Sequence, residues 1–139
     1  MDPTYEIAAA IIATLRADPV VAGFVGSRVY DRPPDVSVAE SPYISMGPSD
    51  AVTDDVDCID GLEVTMQIDC HSWGPNEAYG SAEVRKLSGA VRAALHEAEI
   101  PLADNALVSL RHRITRYQRE SDGATNRAII SVTAFVEVN

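Results

Sequence analysis

The sequence contains five side chains of the types that bind transition metals: Cys58, Cys70, His71, His96 and His112. None of them are paired at Cys-x-x-Cys or His-x-x-x-His spacing, the arrangements that bring two ligands to one ion. Cys70 and His71 are neighbours on a predicted strand and therefore point to opposite faces. We expect no metal site, with Cys70 a buried thiol, His71 a surface imidazole, and both cysteines reduced.

A second group with potential chemistry is the run of carboxylates Asp54-Asp55-x-Asp57, followed by Asp60-Gly61. A calcium loop alternates its acidic ligands and closes with a glutamate, and this run is out of step with that pattern. Acid–base catalysis would need a partner such as histidine beside the acids, and none is predictably placed there. The pattern favours a solvated acidic loop around residues 48–61.

Motifs of common enzyme sites are absent from the sequence. It contains no glycine-rich phosphate loop and no Gly-x-Ser-x-Gly nucleophile elbow. Trp73 is suited either to stack on a ligand or to plug the core with its ring N–H at the surface, and the plug is the commoner role. We therefore expect no enzyme, no catalytic residues and no cofactor. A small ligand-binding domain or enzyme that uses Trp73, His71 and nearby acids stays the least favoured alternative.

Four arginines cluster late in the chain, at Arg111, Arg113, Arg116 and Arg119. They have three interpretations: a solvated edge, pairing across the sheet with Glu63 and Asp69, or contact with the acidic loop of another copy. Copies with unlike surfaces that meet head to tail close into a ring when the rotation allows. The candidate inter-subunit contacts are therefore these four arginines and the acids Asp50, Asp54, Asp55, Asp57 and Asp60.

The overall composition limits the classes of protein to consider. The 139 residues are 46% hydrophobic and carry a net charge of −10, and no Lys or Arg occurs between Pro33 and Val84. That length suits a single domain spanning residues 1–139. A strongly acidic chain is poorly suited to grip DNA. No apolar run reaches the ~20 residues of a membrane span, and the start lacks the positive charge of a secretory signal, so we expect no membrane contact and a cytoplasmic origin.

The elements that must position these residues follow from periodicity and turn signals. Residues 3–17 predict a helix with Asp2 as its cap, followed by a short helical turn or loop and a brief strand near Tyr30. Residues 42–47 and 62–73 predict strands, and residues 77–98 predict the main helix. Residues 105–119 predict a strand, and residues 126–138 predict a second strand that pairs with it as a hairpin. In the strand predicted over residues 105–119, one side is expected to carry Val108, Leu110, His112 and Ile114. The other side is expected to carry Arg111, Arg113, Thr115 and Tyr117.

The order is therefore α-β-β-α-β-β. This order predicts an α+β fold with an antiparallel sheet of about four strands and two helices packed on one face.

Short segments of the chain match a known family in order and spacing. The opening segments are Ala17-Asp18-Pro19-Val20, Gly26-Ser27-Arg28-Val29-Tyr30-Asp31, Pro33-Pro34 and Pro42-Tyr43-Ile44. The later ones are Gly47-Pro48-Ser49-Asp50, Asp57-Cys58-Ile59-Asp60-Gly61, the strand from Glu63 to Asp69, Ser72-Trp73, Arg85, Val91-Arg92, Leu95 and Asp122-Gly123. Over nearly its whole length the chain resembles the tail-completion, or tail-terminator, proteins of long-tailed bacteriophages and gene transfer agents.

The resemblance implies a structural virion subunit that forms a hexameric ring at the head-proximal end of the tail tube. Such a ring would end tube polymerisation and join the tail to the head or neck. The implied partners are further copies of the chain, the tail tube protein and a neck or head-completion protein. Genome DNA would pass through the lumen without specific binding, and assembly would take place in the host cytoplasm. A head-completion or neck connector protein of the same particle is the alternative.

Overall fold

Three α-helices pack against one face of a five-stranded sheet in the computed structural model, which describes residues 1–139. The helices are α1 (Pro3–Ala17), α2 (Pro19–Val25) and α3 (Ala82–Leu95), with a 3-10 turn at Asn76–Ala78 before α3. The strands are β1 (Val29–Tyr30), β2 (Tyr43–Thr53), β3 (Gly61–Ser72), β4 (Ala106–Arg119) and β5 (Asn126–Glu137).

The sheet order is β1-β2-β3-β5-β4. All neighbours are antiparallel except β1, which runs parallel to β2 over two residue pairs. The expected α+β class is confirmed, with one helix and one strand more than the sequence predicted. The two additions, α2 and β1, are the short segments that the sequence left open.

Two aspartates explain why α1 and α2 begin as separate helices. The Asp2 carboxylate accepts the N–H groups of Thr4 and Tyr5 at 2.9 and 3.0 Å, and Asp18 accepts those of Val20 and Val21, both at 3.0 Å. Asp18 therefore caps the start of α2 at the point where Pro19 ends α1. No single helix is long and apolar enough to span a membrane; α1 and α2 meet that test only as a pair, bent by 81°.

The core lies between the helices and the inward side of the two central strands. Alternate residues of β3 and β5 are buried, including Met66, Ile68, Ile130 and Val132. The main helix packs an apolar stripe into this core, since Val84, Leu87, Val91 and Leu95 are all at most 1% exposed. That helix begins at Ala82 rather than residue 77, because residues 76–78 form a separate 3-10 turn that starts at Asn76, a residue with a positive φ of 60°.

The expected loop over residues 48–61 is too long: the prediction is wrong for residues 48–53, which belong to β2, and for Gly61, which begins β3. β2 continues to Thr53, and only residues 54–60 connect it to β3. The register shifts between Met46 and Ser49, so Pro48 lies within an irregularity, where its missing N–H breaks no regular ladder bond. Beyond it, Ser49–Thr53 pair with Leu62–Met66.

The predicted sides of β4 are also partly wrong. The register against β5 shifts between Leu107 and Ser109 and again between His112 and Ile114. Each shift inserts one residue, which reverses the side on which later residues lie. Val108 and Ile114 are therefore exposed, at 59% and 45%, and only Leu110 is fully buried. Tyr117 instead lies on the helix side, where the Arg85 guanidinium is 4.2 Å from its ring centre.

A buried glutamate connects α1 to the start of β4. One Glu6 oxygen accepts the N–H of Asp104 at 2.9 Å, and the other accepts the N–H of Asn105 at 2.9 Å and its side-chain amide at 3.1 Å. The Asp104 N–H is the largest of the effects that hold the pKa of Glu6 below its ordinary value. These bonds fix the position at which β4 enters the sheet.

Replacing Glu6 with glutamine is expected to lower the melting temperature at neutral pH. Because the folded-state pKa of Glu6 is lowered, its carboxylate stabilises the fold above the ordinary glutamate pKa, and this contribution is lost as the pH falls through the lower folded-state value. The difference in melting temperature between the native chain and Glu6→Gln should therefore shrink as the pH is lowered from 7 into the acidic range. Calorimetry over that pH range measures it, and a difference that does not change with pH would contradict it.

Candidate assembly surfaces

The four clustered arginines lie on β4, which forms one edge of the sheet. We call this strand the arginine edge: Arg111, Arg113, Arg116 and Arg119, all exposed. Arg111 and Arg116 are paired with Thr133 and Ile129 of β5, so they point to the face of the sheet without helices. Arg113 is the extra residue of the second register shift. Arg119 points to the helix side, where its guanidinium donates to Asn126 Oδ1 at 3.3 Å.

The arginine edge has few acidic partners within its own chain. The interpretation that these arginines pair with Asp69 is wrong, because β5 lies between β3 and β4. Asp69 instead binds Arg127 of β5, at 3.0 Å. Glu63 lines an open groove with Arg111 and Arg113 without forming an ion pair. Arg111 is 3.6 Å from Glu97, but both side chains are about two-thirds exposed, at 66% and 64%. Such a contact contributes little, so the positive charge of this edge is mostly uncompensated.

The five candidate acids lie on the far side of the sheet, at the hairpin between β2 and β3. We call residues 49–60 the acidic hairpin; it carries Asp50, Asp54, Asp55, Asp57 and Asp60. The Asp55 carboxylate accepts the N–H of Gly61 at 3.1 Å and so closes the base of the tip. Val56 and Ile59 exchange main-chain bonds of 3.1 and 2.8 Å across a tight turn.

Both surfaces combine one sign of charge with exposed apolar side chains. The acidic hairpin exposes Val52, Val56 and Ile59 at 59%, 47% and 40%, and the arginine edge exposes Val108 and Ile114. The two surfaces cannot meet in one chain, because β3 and β5 separate β2 from β4 by three strand spacings, about 14 Å. The structure thus brings the acids together and the arginines together, on opposite edges of one sheet.

An ion-pair network on the helix-free face was not predicted from the sequence. Asp69 is only 5% exposed, and its carboxylate binds Arg127 and accepts the Gln67 amide at 3.0 Å. Arg127 also lies 3.5 Å from Glu120. A Cβ at Gly47 would lie 2.8 Å from the Gln67 amide nitrogen and 3.0 Å from an Asp69 oxygen, so glycine leaves room for these side chains.

Aromatic rings pack beside this network, at the end of the sheet opposite the acidic hairpin. The His71 ring stacks on Tyr43 with centroids 4.6 Å apart, and Trp73 meets Tyr43 edge-on at 6.0 Å. Burial lowers the pKa of His71. His71 is therefore half-buried against Tyr43 rather than a free surface imidazole, and Trp73 has a packing role against Tyr43.

The sulfur chemistry is limited to two free thiols. Cys70 is buried, as predicted, and burial raises the pKa of its thiol above the ordinary value. A buried thiol of raised pKa is unreactive because little thiolate forms. Cys58 is exposed in the acidic hairpin. No group of three or more His, Cys, Asp or Glu side chains is arranged to hold a metal ion.

Comparison with known proteins places these surfaces in context. Residues 9–137 match the family model described as tail completion protein gp17. A chain of the native gene transfer agent virion particle is 29% identical and superimposes with a TM-score of 0.84, covering 96% of this chain and 96% of that one. No curated protein sequence matches the chain.

Proposed function

This chain belongs to the tail completion protein gp17 family, and from that premise we propose that it forms a ring at the head-proximal end of a phage or gene transfer agent tail tube. The ring is hexameric, ends the polymerisation of tube subunits and joins the tail to the head or neck. The subunit is structural rather than enzymatic, and its place in the finished particle is the junction of tail and neck.

The observation that carries the ring is the placement of unlike charges on opposite edges of one sheet. An arginine edge and an acidic hairpin that cannot meet within one chain are complementary between neighbouring copies. Opposed potentials of this kind orient two partners and disfavour like-with-like contacts. A contact between two different surfaces repeats from copy to copy, and it closes into a ring when the rotation between copies allows. The contact residues are Arg111, Arg113, Arg116 and Arg119 against Asp50, Asp54, Asp55, Asp57 and Asp60.

The chemistry of the chain is compatible with a passage for DNA. With a net charge of −10, the subunit does not attract phosphates as a DNA-binding protein does. The helix-free face of the sheet is polar, and it carries the buried polar atoms that lack a hydrogen-bond partner, on Ser45, His71, Arg127 and Thr133. Genome DNA would pass through the ring without being read.

The partners of the ring would be the tail tube protein on one side and a neck or head-completion protein on the other. The alternative is a neck connector of the same particle, which would bind the portal side and leave tube ends free. The two candidates differ in which polymer they affect.

Tube growth in vitro distinguishes them. Purified chain added to polymerising tail tube protein is expected to shorten the tubes in proportion to its concentration and to appear as a ring at one tube end. Electron microscopy measures tube length and end structure, and an unrelated acidic protein of similar size serves as the control. Tubes of unchanged length with bare ends, despite binding of the chain to portal or neck protein, would support the connector instead.

A further inference from the structure

We infer that neighbouring copies join through their main chains, with β4 of one copy adding as an antiparallel strand to the free half of β2 in the next. The inference rests on the proposed ring and specifies how its subunits connect. The wall of the ring would then be one continuous sheet.

β2 has free main-chain groups because β1 covers so little of it. β1 pairs only with Ile44 and Ser45. The Asp54 N–H donates to Gly61 of β3 at 2.9 Å, so by the alternation of antiparallel strands Val52 and Asp50 also bond to β3. The main-chain groups of Ser49, Ala51 and Thr53 therefore point away from the sheet, and all three residues are exposed.

β4 has a matching free segment in its second half. In its first half, Leu110 O accepts the Glu97 N–H at 2.8 Å and the His112 N–H donates to His96 Nδ1 at 3.0 Å. At the far end, the Glu120 N–H donates to Thr125 at 2.8 Å, so Gln118 and Arg116 bond to β5. This leaves the main-chain groups of Thr115, Tyr117 and Arg119 on the open edge.

The chain directions determine how two such edges can meet. β2, β3, β5 and β4 lie side by side and each runs antiparallel to the next, so β2 and β4 run in opposite directions. Within one sheet the two free segments lie at different heights, because Ala51 is level with Leu110 through the pairings across β3 and β5. The free half of β4 therefore meets the neighbour's free half of β2, in antiparallel pairing, when each copy is shifted along the strands by about six residues, roughly 20 Å. Strands tilted by about 45° to the ring axis provide such a shift, as they do in closed barrels. The same ladder geometry that holds each sheet together can continue across the contact.

The charges decide which edges can pair. An exposed edge strand is a general hazard, because it can pair with any other edge. Two β4 edges would bring arginines opposite each other, and two β2 edges would bring acids together, which is unfavourable for directly facing pairs. The partner that fits β4 is thus the β2 edge of a second copy of this chain.

Proline at position 51 tests the main-chain contact. Ala51→Pro removes an N–H that points to the free side, a position where edge strands tolerate proline, and Ala51→Val retains the N–H. The concentration of half-assembly into rings, measured by analytical ultracentrifugation, is expected to rise at least about tenfold for Ala51→Pro. One hydrogen bond between the copies is lost, and the proline ring obstructs the approach of the neighbouring strand. Ala51→Val should stay close to the native chain, and circular dichroism should be unchanged for both.

Rings of Ala51→Pro that form as readily as native rings would overturn the inference while leaving the proposed function intact. A native chain that stays monomeric with tail tubes present would instead overturn the proposed function. If Ala51→Pro fails to fold, disulfide cross-linking replaces it, in a Cys58→Ser background. Chains with Ala51→Cys are mixed with chains carrying Thr115→Cys, Tyr117→Cys or Arg119→Cys. Cross-linked dimers are expected from at least one mixture, and assembled rings with none would contradict the edge contact.

Discussion

Reversing Arg111 and Arg116 to glutamate together is expected to prevent ring assembly at concentrations where the native chain assembles. Both side chains are exposed on the arginine edge and have little compensation within the chain. In the assembled ring the new glutamates would face the acidic hairpin, and like charges across an interface cost several kcal/mol. The concentration of half-assembly, measured by analytical ultracentrifugation, should rise roughly hundredfold. Added salt should recover part of the loss, because it screens exposed charges.

A matched control separates this effect from a change in net charge. Lys86→Glu with Arg92→Glu alters the net charge equally at exposed positions on α3, outside both surfaces, and it should leave assembly close to native. Introducing Asp50→Lys and Asp57→Lys into the Arg111→Glu, Arg116→Glu chain should restore assembly, because the contact is then opposite in sign but still complementary. Unimpaired assembly of the arginine variant would mean that the arginine edge is a solvated surface and makes no contact between subunits.

Replacing Asp69 with alanine is expected to produce the second large effect, on folding. Arg127 would keep only Glu120 as a partner, and the Gln67 amide would lose its acceptor. Breaking a fully buried ion pair from one side costs about 3–5 kcal/mol, and Arg127 is 24% exposed, so we expect about 2–3 kcal/mol lost from the free energy of unfolding. Urea denaturation followed by circular dichroism measures it.

The comparison with Arg127→Ala and with the double variant isolates the pair itself. A coupled pair gives a double variant whose loss is smaller than the sum of the two single losses. Additive losses would mean that the Asp69–Arg127 pair itself contributes nothing. An Asp69→Ala chain as stable as the native one would mean that the network does not stabilise the fold. Asp69→Asn retains the size and one acceptor, so its loss should be smaller than that of Asp69→Ala.

Elements with local signals were predictable from the sequence. α1 was predicted over residues 3–17 with Asp2 as its cap, and the strand predicted over 62–73 corresponds to Gly61–Ser72. The strand after the Asp122-Gly123 turn was predicted over 126–138 and extends from Asn126 to Glu137. In each case a cap, a proline or strict alternation lies within the segment itself.

Features that depend on pairing could not be read from any one segment. Pro48 indicated the end of a strand, but the strand continues because the register shift at that position needs no ladder bond from it. The shifts in β4 depend on the register with β5, so the side of Ile114 and Tyr117 could not be counted along the chain. Asp69 and Arg127 are 58 residues apart in sequence, and only the β3–β5 register brings them together. The charged surfaces were predicted as residue groups, whereas their placement on opposite edges depends on the strand order.

The proposed ring at the junction of tail and neck can be tested on whole particles. Cryo-electron microscopy of isolated particles that carry a small labelled tag on this subunit tests its position most directly. We expect one sixfold ring of label at the head-proximal end of each tail tube, and tubes of uncontrolled length in particles made without the chain. Label along the tube, at its distal end or only within the head would contradict the proposal.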